Sequence, residues 1–161
     1  MNQTHIHLLI THLPIFGSIL GGLVLAHGLW TKSSQTKIAA YNLFILSAIG
    51  ATIAYFTGEG AEESIENIQG VATNMIEEHE ESALVALISL IALGVASIGA
   101  LFITLKNSDF TKNAAIVILF LSLISFGLVA RTGYLGGQIR HTEIGSGGTG
   151  VQTQEGGEEE D

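Results

Sequence analysis

Residues 113–130, NAAIVILFLSLISFGLVA, decide the fold class of this chain, because seventeen apolar or small residues follow a single asparagine. The hydrocarbon core of a bilayer is about 30 Å thick, and a helix needs about 20 predominantly apolar residues to cross it. Together with the residues that follow, this stretch predicts a membrane-spanning helix over residues 114–135. A helix suits lipid because its backbone N–H and C=O groups bond to one another.

Three further stretches have the length and composition of membrane-spanning helices. They are residues 8–30, 38–57 and 82–105. Only 13% of the chain is charged, against about 25% in ordinary soluble domains. Gly17 and Gly21 stand one helical turn apart, and small residues at this spacing let helices approach closely in lipid. The sequence therefore predicts an all-α integral membrane four-helix bundle, formed by residues 1–144 and in contact with the lipid bilayer.

The lysines predict which ends of the spans face the cytoplasm. They lie in or beside the two short loops, at Lys32, Lys37, Lys106 and Lys112. Short loops rich in Lys and Arg stay on the cytoplasmic side. Both termini should then lie on the outer side. Arg131 and Arg140, near that outer side, oppose the rule, and we assign them a structural role below.

The long loop between the second and third spans carries a helical pattern. Between residues 59 and 80, apolar residues recur at steps of three and four, and Met75 and His79 lie on this stripe. That spacing predicts an amphipathic helix over the outer mouth of the bundle. Residues 145–161 are rich in glycine and acidic residues, and this composition predicts a disordered tail.

Composition excludes several classes of function. The chain has no cysteine, which excludes disulfides, iron–sulfur clusters, thiolate zinc sites and covalent c-type haem. It has six Lys and Arg residues and a net charge of −9, so no basic patch for nucleic acid is expected. No nucleophile motif or phosphate-binding loop is visible, and the sequence leaves open whether the chain is an enzyme. It also leaves the oligomeric state open.

Histidines gather at the predicted outer side. Five of the six fall there, namely His5, His7, His12, His79 and His141, and only His27 falls on the other side. Ionisable groups at membrane depth are costly, usually face the interior of a bundle and mark functional sites. Pro14 follows His12 and leaves the carbonyl of Ile10 without its helical donor, which makes room beside this histidine. The pattern predicts a site built from histidines of several helices.

Haem b is the first candidate for such a site. A bis-imidazole haem needs one histidine from each of two elements, and cations near its propionates. We expect the ligands among His12, His79 and His141, with His7 in reserve. In this hypothesis Gly136 and Gly137 leave room for the macrocycle, and Arg131 and Arg140 pair with the propionates.

A zinc, manganese or iron ion bound by histidines and carboxylates is the second candidate, serving transport or hydrolysis. Its ligands are expected among His12, His79, His141, Glu59 and Glu80. The third candidate is an accessory membrane subunit without a cofactor. In that case the histidines are interfacial residues at helix ends.

Four segments together resemble a group of bacterial four-helix membrane proteins catalogued as an uncharacterised integral membrane domain. They are HLLITHLPIFG, FTGEGAEE, EEHEESA and GYLGGQIRHTEI, and the resemblance covers residues 7–144. The pattern of that group matches two clusters here, first His7, His12 and Pro14, and later Gly136, Gly137 and His141. Related segments occur beside respiratory haem domains. The resemblance therefore implies haem-based electron transfer in the bacterial inner membrane, with a quinone or a periplasmic redox protein as partner.

Overall fold

The computed structural model describes residues 3–62 and 73–140, which are helical except for short turns. In chain order the helices are α1 (Gln3–Ile10), α2 (His12–Trp30), α3 (Ser34–Glu62), α4 (Thr73–Leu105) and α5 (Thr111–Arg140). Since α1 and α2 together form one span, four stretches are long and apolar enough to cross a membrane. These are Gln3–Trp30, Ser34–Gly58, Met75–Leu105 and Thr111–Ile139. The predicted all-α membrane four-helix bundle is confirmed.

The four spans pack in a ring in which neighbours along the chain are neighbours in space. α2 packs on α3 and α5, α4 packs on α3 and α5, and α1 continues along α3. Residues 31–33 and 106–110 make the two short connections, each with one non-glycine residue of positive φ, Lys32 and Asn107. We name the end of the bundle that carries these connections the lysine end. The opposite end, where α1 and α4 begin, is the histidine end.

Small residues set how closely α2 and α3 approach. A Cβ added at Gly21 would lie 2.5 Å from Cε1 of Phe44, and one added at Gly17 would overlap the side chain of Ser47. No side chain fits there, so the predicted close approach at these two glycines is confirmed. Phe44 and Tyr41 are fully buried in the resulting core. These contacts fix the rotation of α2 and α3 about their axes, and hence which side chains face inward.

The outside of the bundle is apolar, as expected for a surface in contact with lipid. Leu23, Phe56 and Phe120 are each more than half exposed. In water such a surface would aggregate, whereas in a bilayer the acyl chains cover it.

A proline separates α1 from α2. Pro14 has no N–H to donate to the carbonyl of Ile10, so the regular helical ladder is interrupted and the chain turns at Thr11. The break is small, because the N–H of Thr11 still donates to the carbonyl of His7 at 3.0 Å. As a result His7, before the turn, and His12, after it, face different surroundings.

The predicted separate helix over residues 59–80 needs correction. Residues 59–62 are the last turn of α3, and residues 73–80 are the first turns of α4, so both ends of the segment continue the spans. Periodicity in this segment did not show that its described ends belong to the second and third spans. Residues 63–72 lie outside the described residues, as does the tail predicted to be disordered, residues 145–161.

Candidate histidine site at the end of the bundle

A hydrogen bond from a ring nitrogen of His7 holds this side chain against α3. Its Nδ1 lies 2.8 Å from the carbonyl oxygen of Ala54 and 3.5 Å from the hydroxyl of Thr57. A carbonyl oxygen can only accept, so Nδ1 carries the hydrogen and donates it. In the neutral ring the lone pair then lies on Nε2. The ring also borders Gly58, where an added Cβ would lie 3.5 Å from Cε1.

His79 repeats this arrangement between α4 and α5. Its Nδ1 donates to the carbonyl oxygen of Thr132 at 3.0 Å, which again leaves the Nε2 lone pair free. A Cβ added at Gly136 would lie 2.9 Å from Cε1 of His79. The clearance that we predicted at Gly136 for a macrocycle is therefore used by the His79 ring. Gly137 is exposed, with nothing within 4 Å of an added Cβ.

Hydroxyl groups fix the helix segment that holds His79. The hydroxyl of Thr132 donates its one hydrogen to the carbonyl oxygen of Leu128 at 3.0 Å. Ser82 must then be the donor in the 2.8 Å bond between the hydroxyls of Ser82 and Thr132. Ser82 lies one turn from His79 on α4, so two hydrogen bonds clamp this turn of α4 to α5. Thr132 therefore bonds to both residues of α4: its carbonyl oxygen accepts from His79, and its hydroxyl accepts from Ser82.

His7 and His79 come from distant parts of the chain but are close enough to interact electrostatically. His79 also interacts with the neighbouring Glu80. Two imidazoles, each with Nδ1 bonded to a backbone carbonyl and Nε2 free, form the pattern typical of histidines that bind a metal through Nε2. The carbonyl fixes the orientation of each ring and raises the basicity of the free nitrogen. The structure thus places one histidine of α1 and one of α4 at the same end of the bundle, each oriented by a backbone carbonyl, and we treat them as a candidate ligand pair.

His12 does not join this pair. It is exposed, its Nδ1 donates to the carbonyl oxygen of Leu8 in the preceding turn at 3.0 Å, and its ring stacks on Phe16. Sequence reasoning placed His12 first and His7 in reserve, whereas the structure places His7 beside His79. The five-residue spacing already separates the two histidines by about 140° around a helix. That spacing shows that only one of the two histidines can face the interior of the bundle, and it does not show which one.

The described members of the predicted metal set are not brought together. Arg131 and Glu80 are exposed, while the side chains of Glu59 and Arg140 and the whole of His141 lie outside what the structure describes. Within residues 3–62 and 73–140, no group of three His, Asp or Glu side chains is placed to hold a metal ion. His12, His79 and Glu80 are therefore not gathered into one ion site.

Sequence reasoning missed the groups that orient the two rings. The backbone carbonyls of Ala54 and Thr132 carry no signal in the sequence, because every residue has a carbonyl. Gly58 did lie in one of the segments on which the family resemblance rests. Comparisons with models of known protein families, with curated proteins and with solved structures returned no match. The family resemblance stays a prediction, and the site stands on its own geometry.

Proposed function

We propose that this chain is a membrane-bound b-type haem protein for electron transfer, and that His7 and His79 would hold its iron. The observation that carries the proposal is the pair of carbonyl-anchored imidazoles with free Nε2 atoms at one end of the bundle. The two ligands belong to different helices, as a bis-imidazole haem requires.

The number of ligands favours haem over a bare ion. A structural zinc takes four protein ligands and a catalytic zinc three, usually His, Cys or carboxylate. The porphyrin supplies four nitrogen ligands to its iron, so a haem needs only two from the protein. Among the residues that the structure describes, the pair has no third His or carboxylate in position to complete an ion site. Two ligands without a third among the described residues fit haem best.

The residues of this chain would hold and tune the haem, and the haem itself would supply one-electron redox chemistry. The carbonyls of Ala54 and Thr132 keep both rings in the tautomer that presents Nε2. Arg131 and Arg140 would pair with the propionates, as the sequence predicts. The electron would pass to or from a quinone in the bilayer or a redox protein on the outer side.

An absorption spectrum of the detergent-purified protein, oxidised and then reduced, tests this proposal. We expect the spectrum of a six-coordinate low-spin haem, with iron near one per chain by metal analysis. Colourless protein with stoichiometric zinc, manganese or iron would establish the ion site instead. Protein with neither colour nor metal, co-purifying with another subunit, would establish the cofactor-free accessory role. Expression should include haem supplementation, so that colourless protein is informative.

We further propose that the lysine end faces the cytoplasm of a bacterial inner membrane, so that the histidine end lies at the outer surface. Reporters fused after Gln35 and after Asn107 should be cytoplasmic, and a reporter fused after Gly148 should be outside, because Lys-rich short loops are retained inside. Alkaline phosphatase and green fluorescent protein fusions measure this directly. A cytoplasmic reporter at Gly148 would move the histidine site to the other side of the membrane.

A further inference from the structure

Three buried hydroxyls in the lysine half of the bundle have no hydrogen-bond partner among the described residues. They belong to Tyr41 and Ser97, both 0% exposed, and to Thr104, 2% exposed. Other buried serines differ, because Ser18, Ser47 and Ser122 each donate to a backbone carbonyl of their own helix. Their donor–acceptor distances are 3.0, 2.9 and 2.8 Å. In the described part of the chain, the unpaired hydroxyls are thus confined to the core between α3 and α4 and are not shared by the other buried serines.

Two of these hydroxyls share one face of α4, and the third comes from α3. The side chains of Tyr41 of α3 and Thr104 of α4 lie within reach of a mutual hydrogen bond, although their oxygens are not in full hydrogen-bonding geometry. Ser97 lies seven residues from Thr104 on the same face of α4, about 10 Å along the axis. One turn from Tyr41, toward the lysine end, Lys37 is only 7% exposed, and its stem packs beside Gly28.

Unpaired hydroxyls are unfavourable inside a membrane protein. Hydrocarbon offers no hydrogen bonds, so each buried polar group must be satisfied within the protein or by water. A direct bond between Tyr41 and Thr104 would use only one of their two donor hydrogens, and Ser97 as placed makes no bond to its own helix of the kind that Ser47 makes. Buried water that makes about three hydrogen bonds is the usual solution at such places. The ammonium of Lys37 at the mouth also needs hydration, since no described carboxylate forms an ion pair with it.

We propose that water enters the bundle at the lysine end and binds along Lys37, Tyr41, Thr104 and Ser97. This hydrated inlet ends near the middle of the bundle, because Leu93 and Leu90 fill the core beyond Ser97 and are buried. It brings water, and with it protons, from the lysine end into the membrane without reaching the histidine pair. The inlet does not depend on whether the histidine site holds haem.

Single-cysteine variants test the inlet, since the chain has no cysteine of its own. Silver ion, which is close to water in size, is applied in chloride-free buffer, and unreacted thiol is then labelled with a maleimide after denaturation. The thiolate is the reactive form, and only a hydrated thiol ionises readily. We expect Ser97→Cys to react roughly tenfold or more faster than Ser47→Cys, an equally buried control whose hydroxyl is already paired. Equal rates would overturn the inlet.

The stability of Tyr41→Phe gives a second reading, and its sign decides when it is measured in a Thr104→Val background, where a direct bond between Tyr41 and Thr104 cannot contribute. If water is bound to the hydroxyl, its removal loses hydrogen bonds, and the unfolding midpoint in detergent should fall by about 2–4 °C. If the hydroxyl is dry and unpaired, its removal should raise the midpoint, which would overturn the proposal. Tyr55→Phe, at an exposed position near the histidine end, is the control and should change the midpoint little.

Discussion

Replacing His79 with alanine should abolish the haem spectrum of the purified protein while the bundle stays folded. The substitution removes the Nε2 ligand and the hydrogen bond to Thr132, but it leaves the clamp between Ser82 and Thr132. Loss of a partner that only orients a ligand typically costs about 10–100-fold in metal affinity, and loss of a ligand should cost at least as much. The measurements are haem content per chain and helicity by circular dichroism.

The other histidines supply the controls for this experiment. His7→Ala should also lose the six-coordinate spectrum, because it removes the second ligand of the pair. His12→Ala and His27→Ala should keep the native spectrum, since both side chains are exposed and lie outside the pair. A native spectrum in His7→Ala and the loss of that spectrum in His12→Ala would show that His12 binds the haem and that His7 does not.

Replacing Gly136 with leucine should displace the His79 ring and remove the haem with it. An added Cβ lies 2.9 Å from Cε1 of His79, closer than real side chains approach, so the ring must leave its hydrogen bond to Thr132. Overpacking of this kind also costs roughly 1–3 kcal/mol of stability. Haem content and the unfolding midpoint in detergent measure the two effects.

Gly137→Leu is the matched control, because the next residue is exposed and has nothing within 4 Å of an added Cβ. It should keep the haem and the wild-type midpoint. Loss of haem from both variants with unchanged midpoints would contradict the assignment of Gly136 to the His79 ring. The macrocycle itself would then lie against this turn of α5.

The spans could be predicted because the relevant physics is local. Transfer of about 20 residues into hydrocarbon depends on their own side chains, so a window such as residues 114–130 identifies a span without knowledge of its neighbours. Helix ends were less predictable. α4 begins at Thr73, well before the predicted residue 82, because the polar turns beyond the apolar stretch continue the helix. Hydropathy marks the lipid boundary and does not mark where hydrogen bonding stops.

The candidate site was predictable as a region but not as a set of contacts. Counting along the chain placed His7, His12 and His79 near one end of the bundle, since His7 and His79 precede spans and His12 lies near the start of one. The partners of the rings, the carbonyls of Ala54 and Thr132, were not predictable, because a backbone group has no residue-specific signature. Gly136 was singled out correctly as a place of close approach, yet the group that approaches it is a side chain of this same protein.

The sequence by itself determined the number of spans, their apolar outer surface and the end at which the histidines collect, because hydropathy and order along the chain suffice for each. Only the tertiary structure decided that His7 is anchored to α3 and close enough to His79 for their charges to interact, whereas His12 is exposed and bonds back to Leu8. That choice depends on how each helix is rotated about its axis. The rotation is set by contacts between distant residues, such as Gly21 against Phe44, together with the turn that Pro14 imposes between the two histidines.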